Sequence, residues 1–158
     1  MIVREHGHQC LAYIDESGFE PGAHRTHGWA PRGRKVFGER SGKSRPRTTL
    51  IAARHRGRLA APMLFEGTTS AGVFNLWLET QLFRELPGRA VLVMDNAAFH
   101  KTPETRRIVR EAGHRLLYLP PYSPDLNPVE HDFANLKRRR RNAPRGTTLD
   151  EVVRMYSS

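Results

Sequence analysis

Two short apolar runs that each end in an aspartate constrain this chain more than any other feature. Leu11-Ala12-Tyr13-Ile14 closes on Asp15, and Val91-Leu92-Val93-Met94 closes on Asp95. The second run is continuously apolar, as expected of a strand covered on both faces. Right-handed crossovers keep sequential parallel strands close, so a natural arrangement sets the two runs side by side with Asp15 beside Asp95. A third carboxylate, Glu130, stands in Asn127-Pro128-Val129-Glu130. Oxygen-only ligands suit Mg²⁺ or Mn²⁺, and a pair of such ions can clamp the attacking and leaving oxygens of a phosphoryl transfer.

Composition narrows the setting. A chain of 158 residues, 38% hydrophobic, is large enough for one domain that buries roughly 70% of its unfolded surface and too small for two. Residues 1–158 are therefore read as a single unit. The one cysteine, Cys10, excludes a disulfide framework and a cysteine-based zinc site, and a reducing cytosol fits. The first residues have no apolar core of signal-peptide length, and no stretch of about 18 apolar residues occurs, so no membrane association is expected.

The formal charge is +10, and its distribution matters more than its sum. Residues 25–58 carry 11 Lys or Arg with Glu39 as the only acid, and residues 137–145 carry six with none, together 17 of the 26 cations. Such blocks are either solvated basic faces or a nucleic-acid surface, and their combination with three candidate metal-binding carboxylates favours DNA.

Periodicity and turn chemistry give the order β, β-hairpin, α, β, α, β, α. A first strand lies near 10–15, followed by a basic loop rich in Gly, Pro and Arg over about 18–46. Residues 48–53 and 59–65 read as two strands joined by a tight turn containing Gly57, with Pro62 pointing to an edge strand. Phe74, Trp77, Leu78 and Leu82 recur at helical spacing until Pro87-Gly88. A helix over about 103–112 and a last strand at 116–119 follow. Pro120-Pro121-Tyr122-Ser123-Pro124 stiffens the next connection, after which Asn127 can cap a helix with Pro128 at its first position. Val129, Phe133 and Leu136 give that helix its apolar face. Thr148-Leu149-Asp150-Glu151 opens a C-terminal helix over about 148–158 that the chain's end cuts short.

Four segments carry a resemblance: Ile14-Asp15-Glu16-Ser17-Gly18-Phe19, Gly28-Trp29-Ala30-Pro31-Arg32-Gly33, Val93-Met94-Asp95-Asn96 with His100-Lys101, and Leu119-Pro120-Pro121-Tyr122-Ser123-Pro124-Asp125-Leu126-Asn127-Pro128-Val129-Glu130. They resemble DDE transposases of bacterial insertion sequences, in the IS-six-thirty-like branch of the mariner superfamily. The 34 residues between Asp95 and Glu130 are similar to that family's D, D, 34, E spacing. The resemblance spans about residues 11–140. It implies an α/β, ribonuclease H-like fold, a mixed five-stranded sheet flanked by helices. It also implies two Mg²⁺ or Mn²⁺ ions on Asp15, Asp95 and Glu130, with Asp15 bridging them, and cut-and-paste movement of DNA, typically into a TA dinucleotide. A bacterial cytoplasmic, nucleoid-associated protein that forms homo-oligomers is implied with it.

Each carboxylate has a plainer reading. An Asp after a strand ordinarily shapes a turn, and Glu130 stands three residues after a capping Asn, where it can bond back to the cap. Glu16, Asp125 and Asp132 are rivals, Glu16 the weaker because alternation along a strand turns it away from Asp15. The candidate DNA contacts are Arg32, Arg34, Lys35, Lys43 and Arg45 in the basic loop and Lys137, Arg138, Arg139, Arg140 and Arg141 at the end of the Glu130 helix. His100 could touch DNA phosphate or orient a water at the metal site. Trp29 could stack on a base or pin the loop to the core, while His6, His8, His24 and His27 lack the further ligands of a zinc site.

Two departures from the family stand out. Phe133 replaces the usual tryptophan three residues after the last acid, a change expected to be absorbed by core packing. No helix-turn-helix domain precedes Ile14. A frameshift-joined or separately encoded partner would then supply end recognition, or the element is decayed. Two other functions fit the same residues: a catalytically silent DNA-binding remnant that inhibits transposition, and a structure-specific endonuclease without strand transfer.

Overall fold

The computed structural model describes residues 10–20, 47–97, 100–121 and 124–157. Strands β1 (Leu11–Phe19), β2 (Thr48–His55), β3 (Arg58–Glu66), β4 (Val91–Met94) and β5 (Arg115–Tyr118) form one mixed sheet in the order β3-β2-β1-β4-β5. The β1-β2-β3 half is antiparallel, and β4 and β5 add parallel to β1. Strand β1 runs past Asp15 to Phe19, farther than expected, because residues 16–19 pair with Thr48–Ile51 of β2 after the parallel pairing with β4 has ended.

The β2-β3 turn has Arg56 and Gly57 both at positive φ (56° and 75°), the two-residue geometry whose twist matches a hairpin. Farther along, Ile51 pairs with Met63 and Ala53 with Ala60, so that Ala61 and Pro62 together oppose Ala52. This bulge puts Ala61 at φ 51°, and its carbonyl accepts a hydrogen bond from Trp77 Nε1 at 2.7 Å. Pro62 sits on the sheet's edge strand, where its missing N–H costs no ladder bond.

Four helices cover the sheet. In α1 (Ala71–Thr80), Ser70 accepts from Val73 N, and a 3₁₀ turn at Leu82–Arg84 carries the apolar stripe onward. Helix α2 (Pro103–Glu111) starts on Thr102, whose Oγ1 accepts from Thr105 N. Helix α3 (Val129–Asn142) carries the basic run, and α4 (Leu149–Ser157) opens with a reciprocal cap in which Thr148 N donates to Glu151 Oε1 and Glu151 N to Thr148 Oγ1.

Alternation divides the core into layers. Ala12, Ile14, Ile51, Leu92 and Met94 face Phe74, Trp77 and Leu78 of α1 and Ile108 and Val109 of α2. On the opposite face Phe19, Leu50 and Ala52 meet Val129, Phe133 and Leu136 of α3 and Val152 and Val153 of α4. Phe133 is 5% exposed, the core role expected of it. All four residues of β4 are buried, as the unbroken apolar run required.

Asp132 lies in α3, 2% exposed. Both its oxygens accept from Arg54 Nη1 of β2 at 2.9 Å, and Oδ1 also accepts from Tyr156 of α4 at 2.6 Å. It is a clasp joining sheet and two helices, which removes it as a rival for the catalytic set. Asp132→Asn keeps the shape but leaves Arg54 without its counter-charge, and is expected to cost about 2 kcal/mol in urea unfolding, moderated by the partial exposure of Arg54.

Candidate functional site

The pairing of β1 with β4 matches Leu11 to Val91, Ala12 to Leu92 and Tyr13 to Val93. The pairing ends there, but Asp15 lies two residues on within β1 and Asp95 directly follows β4, close enough for its charge to bear on Asp15. Glu130 comes from the first turn of α3, and its carboxyl is near enough to Asp15 to help raise it. Helix α3 is tied to this point by Asn127, 3% exposed, whose Nδ2 donates to the Ile14 carbonyl at 3.3 Å while its Oδ1 accepts from Val129 N at 3.4 Å. Asn127 was expected to be the helix cap. Pro128 occupies that position, and Asn127 holds the helix start to the residue before Asp15.

Asp15 is pushed up to about 8. Burial is the main cause, opposed by a hydrogen bond at 2.8 Å from Glu16 N to Oδ1 and reinforced by the Glu16, Asp95 and Glu130 carboxyls. Around neutral pH Asp15 therefore keeps its proton. A divalent cation suits the same place, because its charge would balance carboxylates that cannot all ionise together and its preferred ligands are the oxygens present. Among the described residues no three His, Cys, Asp or Glu side chains are already gathered around one ion position.

A second set of bonds lies behind Asp95. His100 is fully buried. Its Nδ1 is 2.9 Å from Asp95 Oδ1 and 3.3 Å from the Asp95 carbonyl, and its Nε2 is 2.9 Å from Glu16 Oε2. The ring also packs against Phe74 at 4.6 Å between centroids. Burial opposes the imidazolium, but the hydrogen bonds to Asp95 and Glu16 outweigh it and raise His100 to about 9. The same contact holds Asp95 below the usual carboxylate range. The expected contact of His100 with DNA phosphate is thus corrected: the ring is enclosed, with two carboxylates as its partners. Sequence reasoning missed its pairing with Glu16. Alternation does turn Glu16 away from Asp15, as expected, and on that face it meets His100.

The basic run at the end of α3 divides by face. Lys137 and Arg140 are half-buried and lie over Phe19, at 5.3 and 5.7 Å from its ring centre. Arg138, Arg139 and Arg141 are exposed, Arg139 over the Tyr156 ring at 5.0 Å and Arg138 bonded to Asn135. Asp125, another rival acid, is exposed. Arg32, Arg34, Lys35, Lys43 and Arg45, with Trp29, His6, His8, His24 and His27, lie outside the described residues.

These shifts set a pH dependence of folding. Asp15, raised from 3.8 to about 8, binds a proton in the folded chain that the unfolded chain releases, so stability falls as pH rises across that interval. His100, raised from 6.5 to about 9, extends the loss through pH 9. Thermal melts of the metal-free chain should show Tm declining from pH 6 to 9.5, and Asp15→Asn should remove the decline below pH 6.5 and lessen it between 6.5 and 8, leaving the part set by His100.

A family model for DDE superfamily endonucleases matches residues 10–153. By sequence, no curated protein matches the chain. Among solved structures, the Mos1 transposase catalytic domain with raltegravir and Mg superposes with a TM-score of 0.66 at 17% identity, covering 98% of this chain and 72% of that one. The Mos1 strand transfer complex gives 0.61 at 19% identity, with 87% of this chain covered and 43% of that one. A simian T-cell lymphotropic virus intasome with the PP2A regulatory subunit B56 gamma gives 0.60 at 9% identity, over 92% and 46%. The fold is that of the ribonuclease H-like catalytic domains in these structures, and the chain belongs to the DDE superfamily endonucleases.

Proposed function

We propose that this chain is the catalytic domain of a transposase of the mariner superfamily, in its bacterial insertion-sequence branch, and that it cuts DNA and joins the 3′ end to a target. The observation that carries this reading is the meeting of Asp15, Asp95 and Glu130 from two parallel strands and one helix, described above. Asp15, central to the three, would bridge two Mg²⁺ or Mn²⁺ ions, with Asp95 and Glu130 on either side. Two such ions, when bound, supply activation of an attacking water or 3′-hydroxyl and stabilisation of the departing 3′-oxygen. The chain's own residues supply placement. Strands β1 and β4 position the two aspartates, Asn127 ties the start of α3 to the Ile14 carbonyl, and Glu130 lies exposed in the first turn of α3.

The partner is DNA, as transposon ends and as a target, a TA dinucleotide in this branch. The solved relatives include paired-end and strand-transfer complexes of Mos1 and an intasome, which supports a homo-oligomer working on DNA. A helix-turn-helix module, frameshift-joined or separately encoded, would recognise the ends. No helix among the described residues is long and apolar enough to cross a membrane, and a bacterial, nucleoid-associated location suits the reading.

With Mn²⁺, the chain should join a pre-cleaved, labelled 3′-hydroxyl end to plasmid DNA, and Asp95→Asn should reduce joining by about 10³-fold. Nicking without joining would favour an endonuclease, and DNA binding with neither activity would favour a silent remnant. The exposed cations of α3 should report separately. Neutralising Arg138, Arg139 and Arg141 together is expected to flatten the slope of log affinity against log salt by about 2–3, and an unchanged slope would remove this helix from the DNA surface.

A further inference from the structure

Three described contacts reach the Asp95 carboxylate or its carbonyl from the protein side. Ala97 N donates to Oδ1 at 3.0 Å, and His100 Nδ1 is shared between Oδ1 and the main-chain carbonyl. Both carboxylate contacts fall on Oδ1, which leaves Oδ2 outside them. The imidazole is itself held on every side. Its Nε2 faces Glu16 Oε2, Phe74 packs on the ring, and its backbone carbonyl accepts from Tyr118 at 2.7 Å. Because each ring nitrogen faces a carboxylate oxygen, which can only accept when ionised, both must donate, and the ring cannot tip without losing one bond. Glu16 lies within β1 and Asp95 directly follows the neighbouring β4, and the ring spans from one to the other.

We propose that Glu16 and His100 are positioning residues for the metal-binding carboxylate of Asp95: Glu16 fixes the imidazole, and the imidazole holds Oδ1 so that Oδ2 is presented to an ion. The inference rests on the reading of Asp15, Asp95 and Glu130 as metal ligands. Partners of this kind, one step behind a ligand, typically contribute 10–100-fold to metal affinity.

The test is Mn²⁺ binding by the full chain, without DNA, followed by electron paramagnetic resonance of the free ion, so that it does not depend on activity. His100→Asn places an amide nitrogen near the former Nδ1 and can keep the bond to Asp95. His100→Gln reaches the former Nε2 and can keep only the bond to Glu16. His100→Gln and Glu16→Ala are expected to weaken Mn²⁺ binding about tenfold or more, while His100→Asn recovers much of the wild-type affinity. A fold-only role would make the two His100 variants alike, and circular dichroism melts would show them equally destabilised. Wild-type affinity in His100→Gln and Glu16→Ala, or equal losses in both His100 variants, overturns the positioning role. If the wild-type chain binds no Mn²⁺, the metal-site reading fails first, and this inference falls with it.

Discussion

The parallel pairing of β1 with β4 is the constraint on which the site depends. It covers three residue pairs, Leu11 with Val91 through Tyr13 with Val93, yet its register decides whether Asp15 and Asp95 arrive at the same level. A slip of one residue would turn each strand's inward side chains to the other face. Burial on both sides of β4 prevents this. Leu92 and Met94 fill the layer under α1 and α2, while Val91 and Val93 pack with Leu11 and Tyr13 on the other face. The hydrophobic layers thus set the position of the carboxylates.

Electrostatics works against that arrangement, and the protein answers it differently on the two faces of the sheet. On the α3 side burial and the neighbouring carboxylates push Asp15 up to about 8, a cost that a bound cation would relieve. On the α1 side Glu16 and Asp95 are joined through a buried imidazolium, a compensation already built into the chain. Asp95 links the two, since its charge also bears on Asp15. Its half-exposed side chain is bonded to the buried His100.

Much of this was legible in sequence because the signals were local. The aspartates closed apolar runs, Gly57 marked the hairpin turn, Pro62 marked the edge strand, and Thr148 with Glu151 formed the cap they suggested. Long-range polar contacts were less legible. Nothing local pairs Glu16 with His100 across 84 residues, Asn127 with the Ile14 carbonyl across 113, or Asp132 with Arg54 across 78. In each case a polar side chain that might have served at the surface is drawn inward by a partner from a distant element. The basic run shows the same limit, since Phe19 takes two of its five cations from a strand far earlier in the chain.

The central claim is that Asp15, Asp95 and Glu130 form one site for two divalent ions. Crystals soaked in Mn²⁺ and measured at the manganese absorption edge would test it most directly. Two anomalous peaks are expected among these three carboxylates, with Asp15 touching both. An absence of peaks at saturating Mn²⁺, or density on Glu16 in place of Asp15, would contradict it.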